Sequence, residues 1–215
     1  MADVFREVDE EVKREQYLKL AKRFGPYLIA AAVALVVATG AVVGWRDYQK
    51  RTREADGARF AAAIEVLAKG ERAKAADAFA DLAKDGSTGY RALAGLQRAA
   101  AVGATDAKQA VEIYDGIAKD SSLPELLRSL AALRAAMLQA DSVDAKDVLA
   151  RLEPLLGETS PWRFLARELK AVVEIRGGND KAAIETLKGL VDNPQAPSGI
   201  RGRAAQLLAA LEAGK

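Results

Sequence analysis

Four times in this 215-residue chain a small or apolar residue is followed, four and then seven positions later, by larger apolar ones. The copies are Ala75/Phe79/Leu82, Ala110/Tyr114/Ile117, Val148/Leu152/Leu155 and Ala183/Leu187/Leu190, separated by 35, 38 and 35 residues. Steps of four and three keep the side chains of each copy on one face of a helix. A period of this length holds two helices and their turns, a unit that cannot bury its apolar face alone and so stacks on its neighbours. A small side chain where helices approach closely, and a larger one to fill the groove beside it, are what the second helix of such a pair requires. The pattern predicts helix pairs stacked side by side; the competing arrangement is an unrelated antiparallel helical bundle.

The punctuation between the copies is helical. Polar N-caps or a first-turn proline mark starts at Ser87-Thr88, Asp106, Pro124, Asp144, Ser160-Pro161, Asn179 and Ser198. Gly70, Gly86, Gly103, Gly157 and Gly177-Gly178 mark stops. β-Branched clusters are few and no Asn-Gly hairpin turn occurs, so the fold class is all-α. Pro154 falls inside a second helix and predicts a kink or an early stop there. First-helix positions are less regular: Trp162, Leu165, Ala166 and Leu169 share a spacing with Tyr90, Leu93, Ala94 and Gln97, whose last member is polar.

Ahead of the repeats lies an uncharged run of 22 residues, Phe24 to Trp45. At ~1.5 Å per helical residue it spans roughly 33 Å, enough for the ~30 Å hydrocarbon core of a bilayer. Phe24, Tyr27 and Trp45 sit where amphipathic rings favour headgroups, and Lys22, Arg23 and Arg46 close the ends. The rival to a transmembrane helix is a signal peptide cleaved near Ala38-Thr39-Gly40, but the tail before it is long and rich in Asp and Glu, unlike a short basic n-region. The sequence therefore divides into a charged tail (1–23), a transmembrane helix (24–45) and a repeat domain (46–215) led by a long helix (46–69). Lys and Arg near the run number six before it and five after it, which barely decides orientation; the shorter, slightly more basic N-side favours a cytoplasmic N-terminus. Within the tail, Val4, Phe5, Val8 and Val12 share one helical face opposite Glu7, Glu10, Glu11 and Arg14.

Composition removes most chemistry. The chain has no Cys, hence no disulfide, thiol nucleophile or lipid-modified cysteine, and no His, hence neither the usual general base nor the commonest metal ligand. Taking the six basic and six acidic residues of the tail from the chain's 32 and 30 leaves 26 and 24, a balance without a nucleic-acid stripe. Carboxylate pairs such as Glu153 with Glu158, or Asp77 with Asp81, could place acid and base on neighbouring turns, but no nucleophile, phosphate loop or ligand set surrounds them. The expectation is a non-enzyme with no cofactor, metal or small-molecule substrate.

The period is close to the 34 residues of tetratricopeptide repeats. In the last copy Gly178-Asn179-Asp180 stands five residues before Ala183, as the Gly-Asp turn of that motif does, whereas Trp162 lies 16 residues before Gly178 rather than 11, so the first helix is longer or shifted in register. The order of charged tail, single span, Gly44-Trp45-Arg46, alanine-rich helix and degenerate repeats resembles the YfgM-type ancillary subunits of the bacterial SecYEG translocon. Tyr90-Arg91-Ala92-Leu93-Ala94-Gly95-Leu96 and Arg176-Gly177-Gly178-Asn179-Asp180-Lys181-Ala182-Ala183 are similar to that family, and the resemblance covers essentially the whole chain. It implies an inner-membrane protein with its repeats in the periplasm, partnered by the SecYEG translocon and a membrane-anchored periplasmic chaperone. A docking module of another envelope complex, or one facing the cytoplasm, is the alternative.

Candidate partner contacts follow. Gly40 and Gly44 make a GxxxG spacing that lets a second transmembrane helix approach closely. On first helices, Tyr90, Arg91, Arg98, Arg128, Arg134, Trp162, Arg163 and Arg167 are candidates because Arg and aromatic residues are enriched at interfaces; the bland reading is that the arginines solvate exposed helix faces.

Overall fold

The computed structural model describes the backbone of residues 2–213 and the side chains of residues 22–24, 27, 29 and 32–213. Nine α-helices and one 3₁₀ turn make up the described residues, with no strand among them. They are α1 (Ala2–Ala68), α2 (Arg72–Asp85), α3 (Thr88–Val102), α4 (Ala107–Lys119), α5 (Glu125–Gln139), α6 (Ala145–Leu152), α7 (Arg163–Arg176), α8 (Asp180–Val191) and α9 (Ser198–Ala213). The contact pattern divides the chain into residues 1–52 and residues 53–215.

Most helix ends form at the marked residues. The Asp106 carboxylate accepts from the Gln109 N–H at 2.8 Å, Asp144 from the Lys146 N–H at 2.8 Å, and the Asn179 side chain from the Ala182 N–H at 3.4 Å, each satisfying an orphan donor of a first turn. Gly178 takes φ +74°, a left-handed turn that only glycine adopts without strain, and redirects the chain from α7 into α8. At Pro154 the expected early stop occurs: α6 ends at Leu152 and tightens into a 3₁₀ turn over Glu153–Leu155, because proline has no N–H to continue the ladder. α7 begins at Arg163, two residues later than Pro161 suggests, with Trp162 in the N-cap position.

All twelve residues of the sequence repeat are buried, and Ala75, Phe79, Leu82, Ala110, Leu152, Ala183 and Leu187 are wholly so. Each triplet centres its own core layer. Phe79 and Leu82 pack with Phe60 and Ala63 of α1 and Ala94 of α3. Tyr114 and Ile117 pack between Ala92 and Ala99 of α3 and Ala131 and Ala135 of α5. Val148, Leu152 and Leu155 meet Leu133 and Ala136 of α5 and Ala166 and Val173 of α7, and Leu187 and Leu190 meet Phe164 and Ala171 of α7 and Ile200 and Ala204 of α9. Every second helix (α2, α4, α6, α8) is thus inserted between two first helices, and the first helices also touch one another, α3 with α5 and α7 with α9. Stacked helix pairs follow from this, rather than the antiparallel bundle.

Side chains tie one repeat to the next. The buried Asp56 carboxylate of α1 accepts from the Ser87 N–H at 2.7 Å and so caps α3 from another helix, while Arg59 bridges to Asp85 at 2.9 Å. Trp162 Nε1 donates to the Leu126 carbonyl at 3.0 Å, and Arg203 forks onto Glu168 at 2.6 and 2.7 Å. The partners are 36 and 35 residues apart, one repeat.

Residues 1–52 differ in kind. Val33, Leu35, Val36, Val37, Val42 and Val43 are all half or more exposed, and because they include consecutive positions they cover the helix on every side. The Thr39 hydroxyl donates to its own helix at the Leu35 carbonyl, 2.8 Å away. Among the described residues no helix is long and apolar enough to cross a membrane; within the run expected to do so, the side chains of residues 25, 26, 28, 30 and 31 lie outside the described set. The amphipathic stripe of Val4, Phe5, Val8 and Val12 lies outside it as well.

Phe79→Ala removes a wholly buried ring from the first core layer and is expected to cost about 3–5 kcal/mol in urea unfolding. A loss below about 1 kcal/mol would remove Phe79 from the core.

Candidate protein-docking grooves

Inserting second helices between first helices leaves clefts where two successive second helices flank one first helix. One cleft, of about 270 Å³, has Ala83 of α2 on one side, Arg91, Gly95 and Arg98 of α3 as floor, and Ile113 and Gly116 of α4 on the other. A second, of about 400 Å³, runs between Leu156 and α8, over Arg167 and Lys170 of α7, with Glu185, Thr186 and Gly189 as its far wall. The two are register-equivalent. Aligning α3 with α7 on Tyr90 and Trp162 brings Arg98 to Lys170, and aligning α4 with α8 on Ala110 and Ala183 brings Gly116 to Gly189 and Ile113 to Thr186. Between them a forked ion pair joins Arg151 of α6 to Asp115 of α4, its second arm at 3.1 Å, and straps the middle gap.

Their electrostatics differ. In the α7–α8 cleft the cations are already engaged: Lys170 lies 2.9 Å from the buried Glu174 carboxylate and 3.1 Å from the Thr186 hydroxyl, which itself donates to Glu174 at 3.0 Å. Arg167 donates to the Leu156 carbonyl at 3.1 Å and to Glu158 at 2.5 Å. That hydrogen bond, reinforced by the charges of Arg167 and Arg163, holds the Glu158 carboxyl below the usual range, the opposite of what a general acid needs. In the α3–α4 cleft Arg91 donates to the Ser122 hydroxyl at 3.0 Å. Ser122 gives its hydroxyl and N–H to Asp120 at 2.7 and 2.9 Å; these bonds first, and Arg91 and Arg128 after them, hold Asp120 low and ionised. Arg98 meets no hydrogen-bond or ion-pair partner among the described residues.

The residues singled out from the sequence take several different places. Tyr90, Trp162, Arg163 and Arg167 hold the repeats together: the Tyr90 ring lies 5.9 Å from that of Phe60, Trp162 bonds Leu126, and Arg163 reaches Gln195 at 3.2 Å and stacks 4.3 Å over Phe164. Arg128 pairs with Glu125 within its own helix. Arg91 and Arg98 share a cleft, whereas Arg134 is exposed outside it and acts on the buried Tyr114, whose pKa burial raises and whose phenol Arg134 partly stabilises as the anion. At Gly40 and Gly44 a Cβ would meet nothing within 4 Å, so their helix face is open. Sequence reasoning missed Gly116, whose only signal is that it lies six residues after the first triplet member, as Gly189 does after Ala183. No group of three or more acidic or other metal-ligating side chains stands close enough to hold a metal ion among the described residues.

A family model described as a tetratricopeptide repeat-like domain matches residues 19–198. The chain belongs to the tetratricopeptide repeat-like family. No curated protein and no solved structure matches it. Repeat-like domains of this type are typically protein-binding modules that present extended surfaces of stacked helices.

The Arg151–Asp115 strap yields a measurable coupling. A double-mutant cycle with Arg151→Met and Asp115→Leu is expected to return up to about 1 kcal/mol of interaction energy in thermal unfolding, the ceiling for a pair that is still partly solvated.

Proposed function

We propose that this tetratricopeptide repeat-like protein is a membrane-tethered, non-catalytic scaffold: an ancillary subunit at the bacterial secretion channel whose repeats, on the periplasmic side, receive chaperones or emerging chains. The observation that carries the tether is the all-round apolar exposure of α1 from Val33 to Val43, a surface stable only within an apolar surround. In sequence, positions 28, 30 and 31 are Leu, Ala and Ala, so the apolar composition continues there. Trp45 and Tyr48, with rings 6.0 Å apart and both exposed, supply an interfacial belt at one end. The family match starts at residue 19, ahead of the apolar run, so run and repeats fall within one matched unit.

A tether of this kind does its work by effective concentration. Holding the repeats beside a channel exit makes weak contacts productive without any catalytic group. The resemblance to YfgM-type subunits supplies the translocon, the chaperone and the orientation, with the N-terminus in the cytoplasm. Gly40 and Gly44, open on their face, are the contact proposed for a second transmembrane helix.

The test is photocrosslinking in the intact membrane from Gly44 and from Gly89. Gly89 is the position beside the candidate contact Tyr90 that can carry a probe, because a Cβ at Gly89 meets nothing within 4 Å, whereas the Tyr90 ring lies 5.9 Å from that of Phe60. Capture of a channel subunit from Gly44 and of a periplasmic chaperone from Gly89 is expected. Capture of cytoplasmic proteins alone from Gly89 would overturn both topology and role.

A further inference from the structure

We propose that the α3–α4 cleft docks a short segment of a partner protein that presents an acidic side chain beside an apolar one. The inference rests on reading the repeats as a protein-binding module and names the chemistry of what they bind.

Two features of the cleft set its preference. The first is an apolar bed. Ile113, Ile117 and Leu123 line it, and Gly95 lets Ile117 lie flat on α3: a Cβ at position 95 would come within 2.9 Å of the Ile117 Cδ1. On the rim Gly116 carries no side chain, and a Cβ there would meet nothing within 4 Å, so α4 leaves the mouth clear. At about 270 Å³ the space falls just below the ~300–1,000 Å³ of small-molecule sites, and its size suits a few side chains of a peptide.

The second is charge. Arg91 and Arg98, one face of α3 at a separation of seven residues, line the cleft together with a single carboxylate, Asp120. Asp120 is already supplied by both donors of Ser122, and Arg128 near it is paired with Glu125. The half-buried Arg98 guanidinium meets no hydrogen-bond or ion-pair partner among the described residues and is a planar fork of donors suited to a carboxylate. The register-equivalent cleft lacks this property, since Lys170 in the place of Arg98 is held by Glu174 and Thr186. The α3–α4 cleft thus combines an apolar bed with an unsatisfied cation, and charge complementarity selects an acidic, apolar segment rather than a neutral or basic one.

The test uses the full chain in detergent and a fluorescein-labelled peptide of alternating Asp and Leu, with Asn/Leu and Lys/Leu counterparts, read by anisotropy. The Asp/Leu peptide is expected to bind at least about tenfold more tightly than the Asn/Leu peptide, and more weakly as salt rises. Arg98→Glu and Gly116→Leu are each expected to weaken it about tenfold or more, and Gly189→Leu in the equivalent cleft to leave it unchanged. Circular dichroism checks that each variant keeps its helices. If Gly116→Leu proves misfolded, the surface change Arg98→Glu decides alone. Equal binding of the acidic and neutral peptides, no binding of either, or insensitivity to Arg98→Glu would each overturn the proposal. So would self-association of the chain that Gly116→Leu abolishes, which would give the cleft to a second copy. None of these outcomes alters capture from Gly89, so the docking chemistry can fail while the scaffold role stands.

Discussion

The repeat domain depends on one steric arrangement made four times: a second helix wedged between two first helices, with a small or short residue at the closest approach and two larger apolar side chains filling the grooves beside it. Ala75, Ala110 and Ala183 are wholly buried because backbones meet there, and Phe79, Leu152 and Leu187 are wholly buried because they fill the space that the approach leaves. Each wedge fixes the next pair's position, so the core grows as layers along a line rather than around a centre. Clefts between successive second helices are a by-product of that geometry.

This frame was legible in the sequence because its determinants are local and periodic. The triplets, the caps at Asp106, Asp144 and Asn179, the left-handed glycine at 178 and the break at Pro154 each announce themselves within a few residues. The roles of the arginines were not legible. Arg163 and Arg91 find partners 32 and 31 residues away in the next repeat, and whether a guanidinium solvates a helix or clasps its neighbour depends on the pitch of the stack, which no single window encodes. The cleft itself was hidden for another reason: it is made by side chains that are missing, at Gly95 and Gly116, and glycines in helices read as weak points rather than as space.

Charge is used mainly to hold the stack in register. Asp115 with Arg151, Glu168 with Arg203 and Asp56 with the Ser87 amide each link neighbouring repeats, and Lys170, Thr186 and the buried Glu174 form a closed set. Arg98 stands outside these pairs, meeting no hydrogen-bond or ion-pair partner among the described residues. Its place over an apolar bed is where we propose that a partner enters.

The claim joining these parts is that an apolar helix holds the repeat domain at a membrane. Because the native chain has no cysteine, single-cysteine variants carry no background, and a maleimide scan in reconstituted vesicles reads water access position by position. The account expects residues 33–43 to be unreactive, with Thr52 and Ser142 reactive on one and the same side of the bilayer. Uniform reactivity through residues 33–43, at the level of Ser142, would contradict it and leave the stacked repeats as a module without a tether.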